Sequence, residues 1–377
     1  MIRDLTDDEA RLALPVKWGS VDADVLPAWV AEMDYAPPGP VIDALRQAVD
    51  ANQLGYPGYS HGIDLAIAYA GFATRHYGQD DLRVLPVVDV TAGLRFALDV
   101  LCDPGPLIVP MPAYGPHHAL AQITGRERVD LAIDPDAPRA EIDLDRLGHL
   151  LRSGARTLLL TQPHNPWGRV FTRSELEGVR DVVGRHGGRV LSDEVHAPLT
   201  LPGATHVPYL SLDGTSDHAI AVVSASKAFN MAGLRCAQII TTNDHTLRRL
   251  IDAPVALNDS WATLGAVASI AAYTYCDDWL DAVVARLAAQ RALLSELLVS
   301  ELPKARMRPL EGTYLAWIDL REYGHEYPDQ LALERSRLRV SGGNEFEPGL
   351  PGHIRLNIAT SPERLTEIVR RLAAAVA

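Results

Sequence analysis

The chain has 377 residues, 47% of them hydrophobic, enough for a well-buried core and for two domains, which sets aside a disordered or fibrous protein. A formal net charge of −13 at pH 7 offers no basic field to gather phosphates, so neither nucleic acid nor an acidic membrane is an expected partner. The acidic start, Met1 to Leu12, lacks the basic region and apolar run of a signal peptide, and no later stretch offers about 18 uninterrupted apolar residues, so a cytoplasmic protein is expected.

In chain order, the proline-rich stretch Tyr35 to Pro40 predicts a crossing between domains. From about residue 85 to 242, short β-branched runs alternate with amphipathic stretches, the pattern of a mainly parallel sheet covered by helices, so the fold class is α/β. Strands are expected at Pro106 to Pro110, Thr157 to Thr161, Arg189 to Ser192, Ile220 to Ser224 and Gln238 to Thr241. Thr172 and Glu175 form a capping box that opens a helix ending near Gly187 and Gly188. Between Asp277 and Leu302, without Gly or Pro, Leu280, Val283, Leu287, Leu294, Leu297 and Leu298 share one helical stripe, which predicts a connecting helix. Ser361 as N-cap and Pro362 behind it start a last helix that runs nearly to the C-terminus. The expected division is a large domain over 41–280 and a small one built from 1–40 with 281–377.

In an open parallel sheet the ligand sits beyond the carboxyl ends of the strands, so the residues just after each apolar run carry the functional information. Gln162 to Gly168 follows one run, Asp193-Glu194-Val195-His196 another, and Ser224-Ala225-Ser226-Lys227 a third, while Thr91-Ala92-Gly93-Leu94 precedes a helix. Taken singly, Asn165-Pro166 reads as a turn and Asp193 with Glu194 as a helix-start pair. Lys227 is harder to dismiss, because a solvated surface lysine seldom follows an apolar strand so closely. Only Lys17, Lys227 and Lys304 are lysines among 35 Lys plus Arg, so chemistry that needs a primary amine has three candidates. Asp193, Glu194 and His196 lack a second ligand cluster or an HExxH motif, and no metal site is expected. Cys102, Cys236 and Cys276 suggest neither a disulfide framework nor zinc, and Gly55, Gly58 and Gly62 do not make a dinucleotide fingerprint.

Together these segments resemble the aspartate aminotransferase superfamily of pyridoxal-phosphate (PLP) enzymes. The spacings suit that family: 28 residues from Asn165 to Asp193, 34 from Asp193 to Lys227, 8 from Lys227 to Arg235 and 128 from Lys227 to Arg355. Within it the chain most resembles the cystathionine β-lyase branch, through Val16-Lys17-Trp18, Trp29 to Tyr35, Pro163 to Val170, Ser192 to His196, Ser226 to Leu234 and Glu311 to Trp317.

The resemblance implies fold type I, with a small α+β domain beside the large one, and PLP as cofactor. It implies that Lys227 tethers PLP and moves protons, that Asp193 pairs with the ring nitrogen, that Asn165 faces the ring's phenolic oxygen and that Tyr114 stacks on the ring. It places the phosphate at a helix start after Gly93, on the N–H groups of Leu94 and Arg95, with Ser224, Ser226 and Arg235 adding contacts. His196 belongs with the cofactor residues, Arg355 takes the substrate's α-carboxylate, and Asp34 and Tyr35 lie on the substrate side. Tyr56 matches a tyrosine that reaches a neighbouring subunit's phosphate, which implies a homodimer. The sequence departs from the branch at Glu32, where aspartate is usual, at the tip Gly342 to Pro348, and at Arg235, which is common in aminotransferases. The reaction therefore stays open between carbon–sulfur β-elimination on an L-cysteine conjugate and transamination of an L-amino acid, with a regulatory binding protein as a third reading. The intact Lys227, Asp193, Asn165 and Arg355 speak for retained chemistry.

Overall fold

The computed structural model describes residues 2–258 and 261–377. Seven strands form the central sheet, in the order Arg83–Val87, Ala237–Thr241, Ala219–Val223, Arg189–Asp193, Thr157–Thr161, Leu107–Met111 and Arg128–Ala132. Ala237–Thr241 runs antiparallel to both of its neighbours, and the remaining pairs are parallel. The middles of the central strands are apolar because both faces are covered: Leu158 and Leu160 point into the larger core, while Leu159, on the opposite face, joins the core under the helix Val90–Leu101.

The five expected strands are present within a residue of their expected bounds at each end. Two strands of the central sheet went unpredicted, Arg83–Val87 and Arg128–Ala132, and both lie at its edges. Pro86 in one and the charged pair Arg128 and Asp130 in the other suit an edge, where a missing N–H or a solvated side chain costs little. The capping box closes as read: Thr172 caps the helix Arg173–Arg185, with Glu175 reaching back to the Thr172 N–H. The helix Asp277–Glu301 buries Leu280, Val283, Leu287, Leu294 and Leu298, and Leu297 is partly buried at the stripe's margin. Ser361 accepts the N–H of Arg364 at the start of the helix Pro362–Val376.

A second, antiparallel sheet has the order Ser341–Gly342, His353–Asn357, Leu315–Asp319 and Arg306–Met307. Trp317 is the direct cross-strand partner of Arg355, so both side chains leave the same face. The Phe346 ring lies between them, in edge contact with Trp317 and 4.7 Å from the Arg355 guanidinium carbon. The N-terminal segment pairs briefly with this part of the chain, Leu26–Pro27 running parallel to Leu338–Arg339.

Candidate active site

At the carboxyl ends of the parallel strands a cavity of about 150 Å³ is lined by Ala31, Asp89, Val90, Thr91, Tyr114, His117, Thr161, Asn165, Asp193, Val195, His196, Ser226, Lys227, Ala232 and Arg235. Residues as far apart in the chain as Ala31 and Arg235 do not meet here by local structure; the sheet brings them together.

Lys227 sits in the short helix Ala225–Ala228, which Ser224 caps by accepting the N–H of Ser226 at 3.1 Å. Just beyond it Asn230 adopts a left-handed backbone, φ 55°, and its side chain clasps the N-terminal segment: Oδ1 accepts the Met33 N–H and Nδ2 donates to the carbonyls of Met33 and Tyr35. That segment in turn receives the lysine, whose Nζ donates to the Ala31 carbonyl at 3.0 Å. Part of the Lys227 surface faces the cavity, yet protein encloses the side chain, and no carboxylate among the described residues lies within ion-pair distance of Nζ. Desolvation therefore dominates and pulls its pKa down to about 8, against the attraction of Glu32 and Asp193 and with the repulsion of Arg355.

Asp193 ends its strand with Oδ1 accepting the Val195 N–H and Oδ2 3.1 Å from His117 Nε2, close enough for an ion pair although not aligned as a hydrogen bond. His117 also lies 3.3 Å from the Thr161 hydroxyl and packs edge-on against Tyr114. Arg355 is buried: Nη1 donates to Asn165 Oδ1 at 3.1 Å, Nη2 donates to the Trp29 carbonyl at 2.8 Å, and Nε has no partner among the described residues. Burial lowers its pKa to about 10, so it stays cationic at neutral pH. His196, also buried, is pushed down to about 3 by desolvation and by Lys227, and is neutral.

The phosphate end requires a correction. The helix begins four residues before the expected start, at Val90 with Asp89 as N-cap, and Gly93 N–H already donates to the Asp89 carbonyl. The N–H groups of Leu94 and Arg95 are spent inside the helix, Leu94 is buried in the core, and Arg95 turns outward toward Asp99. The donors free to meet an anion belong to the first turn, where Val90 and Thr91 line the cavity. Gly93 has a packing role instead: a Cβ there would stand 2.9 Å from Val87 Cγ2 and 3.2 Å from Val222 Cγ1, so glycine lets the helix lie close on the sheet. Ser226 and Arg235 line the cavity, whereas the Ser224 hydroxyl donates to the Cys236 carbonyl and supports the lysine helix from behind.

Asp34 and Tyr35 are also corrected. Asp34 is 1% exposed, ion-paired with Lys17 at 2.8 Å and hydrogen-bonded by Trp18 Nε1 at 2.7 Å. The Tyr35 hydroxyl donates to the Thr360 carbonyl, with the ring buried. Both brace the N-terminal segment, of which Ala31 lines the cavity. Tyr56 is 96% exposed and outside the cavity of its own chain. Sequence reasoning missed His117, which stands in no motif; its only signal is its position three residues after Tyr114, one helical turn along.

The donor set fits PLP: an enclosed amine, a carboxylate backed by a histidine for a ring nitrogen, an asparagine beside it, and a helix N-terminus with Arg235 for a phosphate. This α/β architecture and site go with a class of protein that the sequence itself defines, for the chain belongs to the aminotransferase class I and II family, matched over residues 29–372. A Mycobacterium tuberculosis protein provisionally named cystathionine β-lyase is 38% identical over 95% of this chain and 93% of its own length. The cystathionine β-lyase of Corynebacterium glutamicum is 32% identical over 97% of this chain and 98% of its own. Among solved structures, Treponema denticola cystalysin, which contains PLP, superposes with a TM-score of 0.92 at 25% identity, covering 100% of this chain and 98% of its own. Among the described residues no helix is long and apolar enough to cross a membrane.

Proposed function

We propose that this chain is a PLP-dependent carbon–sulfur β-lyase that cleaves L-cystathionine or a related L-cysteine S-conjugate to a thiol, pyruvate and ammonia. The observation that carries the reading is an enclosed, unpaired lysine of lowered pKa, grouped with Asp193, Asn165 and Arg355 in a chain related along nearly its whole length to proteins named cystathionine β-lyase. When bound, PLP supplies an electron sink for the carbanion at the substrate's Cα.

Lys227 would tether the cofactor, Asp193 would hold its ring nitrogen, Asn165 its phenolic oxygen, Tyr114 its ring face, and Thr91, Ser226 and Arg235 its phosphate. Lys227 Nζ takes the Cα proton. With a pKa near 8 the amine accepts and returns a proton readily at neutral pH. Arg355, hydrogen-bonded to the cavity-lining Asn165, takes the α-carboxylate as a bidentate fork. Neutral His196 adds no positive charge beside the lysine. In the net reaction the Cβ–S bond breaks with its electron pair on sulfur, the thiolate is protonated, and water completes the release of pyruvate and ammonia.

We also infer a homodimer in which Tyr56 serves the partner's phosphate. Its support is the near-complete exposure of Tyr56 together with neighbouring Tyr59, Ile63 and Ile67 on the same surface stretch. Light scattering that finds a fully active monomer overturns it.

The deciding experiment incubates purified protein and PLP with L-cystathionine, with and without a 2-oxo acid. Pyruvate and thiol formed without the oxo acid support the lyase; product formed only with it makes the chain an aminotransferase instead.

A further inference from the structure

The first turn of the helix Val90–Leu101 carries a carboxylate where the proposed function puts a phosphate. Asp89 Oδ1 accepts the Ala92 N–H at 2.8 Å, and Oδ2 is ion-paired with the Arg235 guanidinium. Asp89 and Arg235 both line the cavity, with Val90 and Thr91 between them in the wall. Two of the groups suited to a phosphate are therefore already engaged by an internal anion. Arg235 follows a short turn and has a left-handed backbone, φ 49°. Capping alone does not require an acid here, because asparagine or serine satisfies the same N–H without a charge.

We propose that Asp89 stands in for the cofactor's phosphate in the cofactor-free chain, holding Arg235 and the helix N-terminus in place, so that cofactor binding exchanges one anion for another. The inference rests on the functional reading above. It follows that the aspartate weakens the hold on a dianion approaching the same helix end, because the two negative charges compete for one guanidinium and one set of N–H groups.

The test is PLP binding to cofactor-free protein, read by quenching of tryptophan fluorescence, for wild type, Asp89→Asn, Asp89→Ser and each with Arg235→Gln. Asp89→Asn is expected to lower the Kd for PLP about tenfold, the size of a like-charge interaction in a partly shielded site. Serine, equally able to cap, should do the same, which guards against a folding defect in either variant. With Arg235→Gln the gain should shrink, since the contested cation is gone. Asn and Ser variants that bind PLP no more tightly than wild type overturn the proposal, as does an undiminished gain in the Arg235→Gln background. A wild-type chain that takes up no PLP at all fails differently, by removing the functional reading itself.

Discussion

Two of the three lysines, Lys17 and Lys227, are enclosed by protein within reach of the same short segment, and they are treated in opposite ways. Lys17 Nζ meets Asp34 at 2.8 Å and the Glu32 carbonyl at 3.0 Å. Among the described residues, Lys227 Nζ meets only the Ala31 carbonyl. Desolvation lowers the pKa of both, but at Lys17 the Asp34 charge directly opposes it. A cation supplied with its counter-ion is a fastening; one denied it keeps a labile proton, which is what proton transfer needs.

The sharpest way to break this contrast is to remove each amine. Lys227→Ala should lower turnover roughly 10³-fold or more with the fold intact, because the amine proposed to take the Cα proton is gone. Steady-state kinetics beside circular dichroism checks it, and borohydride reduction with peptide mapping should place the pyridoxyl label on Lys227 and not on Lys17 or Lys304. Lys17→Met should do the reverse, costing about 3 to 5 kcal/mol of stability by stranding Asp34 and leaving turnover of the folded fraction unchanged. Urea unfolding measures the loss, and the lower end is expected because Trp18 Nε1 and Arg364 still face that carboxylate.

Arg355 sharpens the comparison as a third enclosed cation, partnered at two nitrogens and free at one. Arg355→Ala should raise KM and remove about 2 to 5 kcal/mol of carboxylate binding, and Arg355→Lys should recover little, since an ammonium cannot form two parallel bonds. An unchanged KM in Arg355→Ala would place the carboxylate elsewhere.

The smallest effect is on pH-dependent stability. Lys227 has a folded pKa near 8, below the ordinary lysine value of 10.5, so between these values the unfolded chain binds more protons than the folded one. The cost of enclosing the ammonium is fully present below pH 8 and is relieved as pH rises toward 10.5. Cofactor-free wild type should gain at most about 3 kcal/mol relative to Lys227→Met across that window. Parallel stability curves for the two proteins would show that the lysine is better solvated than its enclosure implies.

Much of the frame was legible because local signals and tertiary structure agree. Thr172 with Glu175, Ser361 with Pro362 and the apolar runs around Leu159 and Val222 each state their element within a few residues. The edge strands were not, because Pro86 and Asp130 are residues that only an edge tolerates, and whether a strand is an edge is a fact of the whole sheet. In the site, Lys227, Asp193, Asn165 and Arg355 follow strand ends or sit in apolar strands and could be named. The N-cap at Asp89 was not read from the sequence, where the helix start was set by Gly93. Asp34 could not be told from a substrate contact, since its partner Lys17 is fixed only by packing.

The segment 29–32 offers four successive carbonyls to side chains from distant parts of the chain: Trp29 to Arg355, Val30 and Glu32 to Asn357, and Ala31 to Lys227 and Tyr314. The Trp29 to Arg355 bond spans 326 positions. During synthesis the bonds from Arg355 and Asn357 to this segment cannot form until the final strand has left the ribosome, even where Lys227 and Asn230 already hold the carbonyls of Ala31 and Met33. Completion of the site is thus tied to completion of the polypeptide, since a chain cut short before residue 355 lacks the side chains that fasten Trp29, Val30 and Glu32.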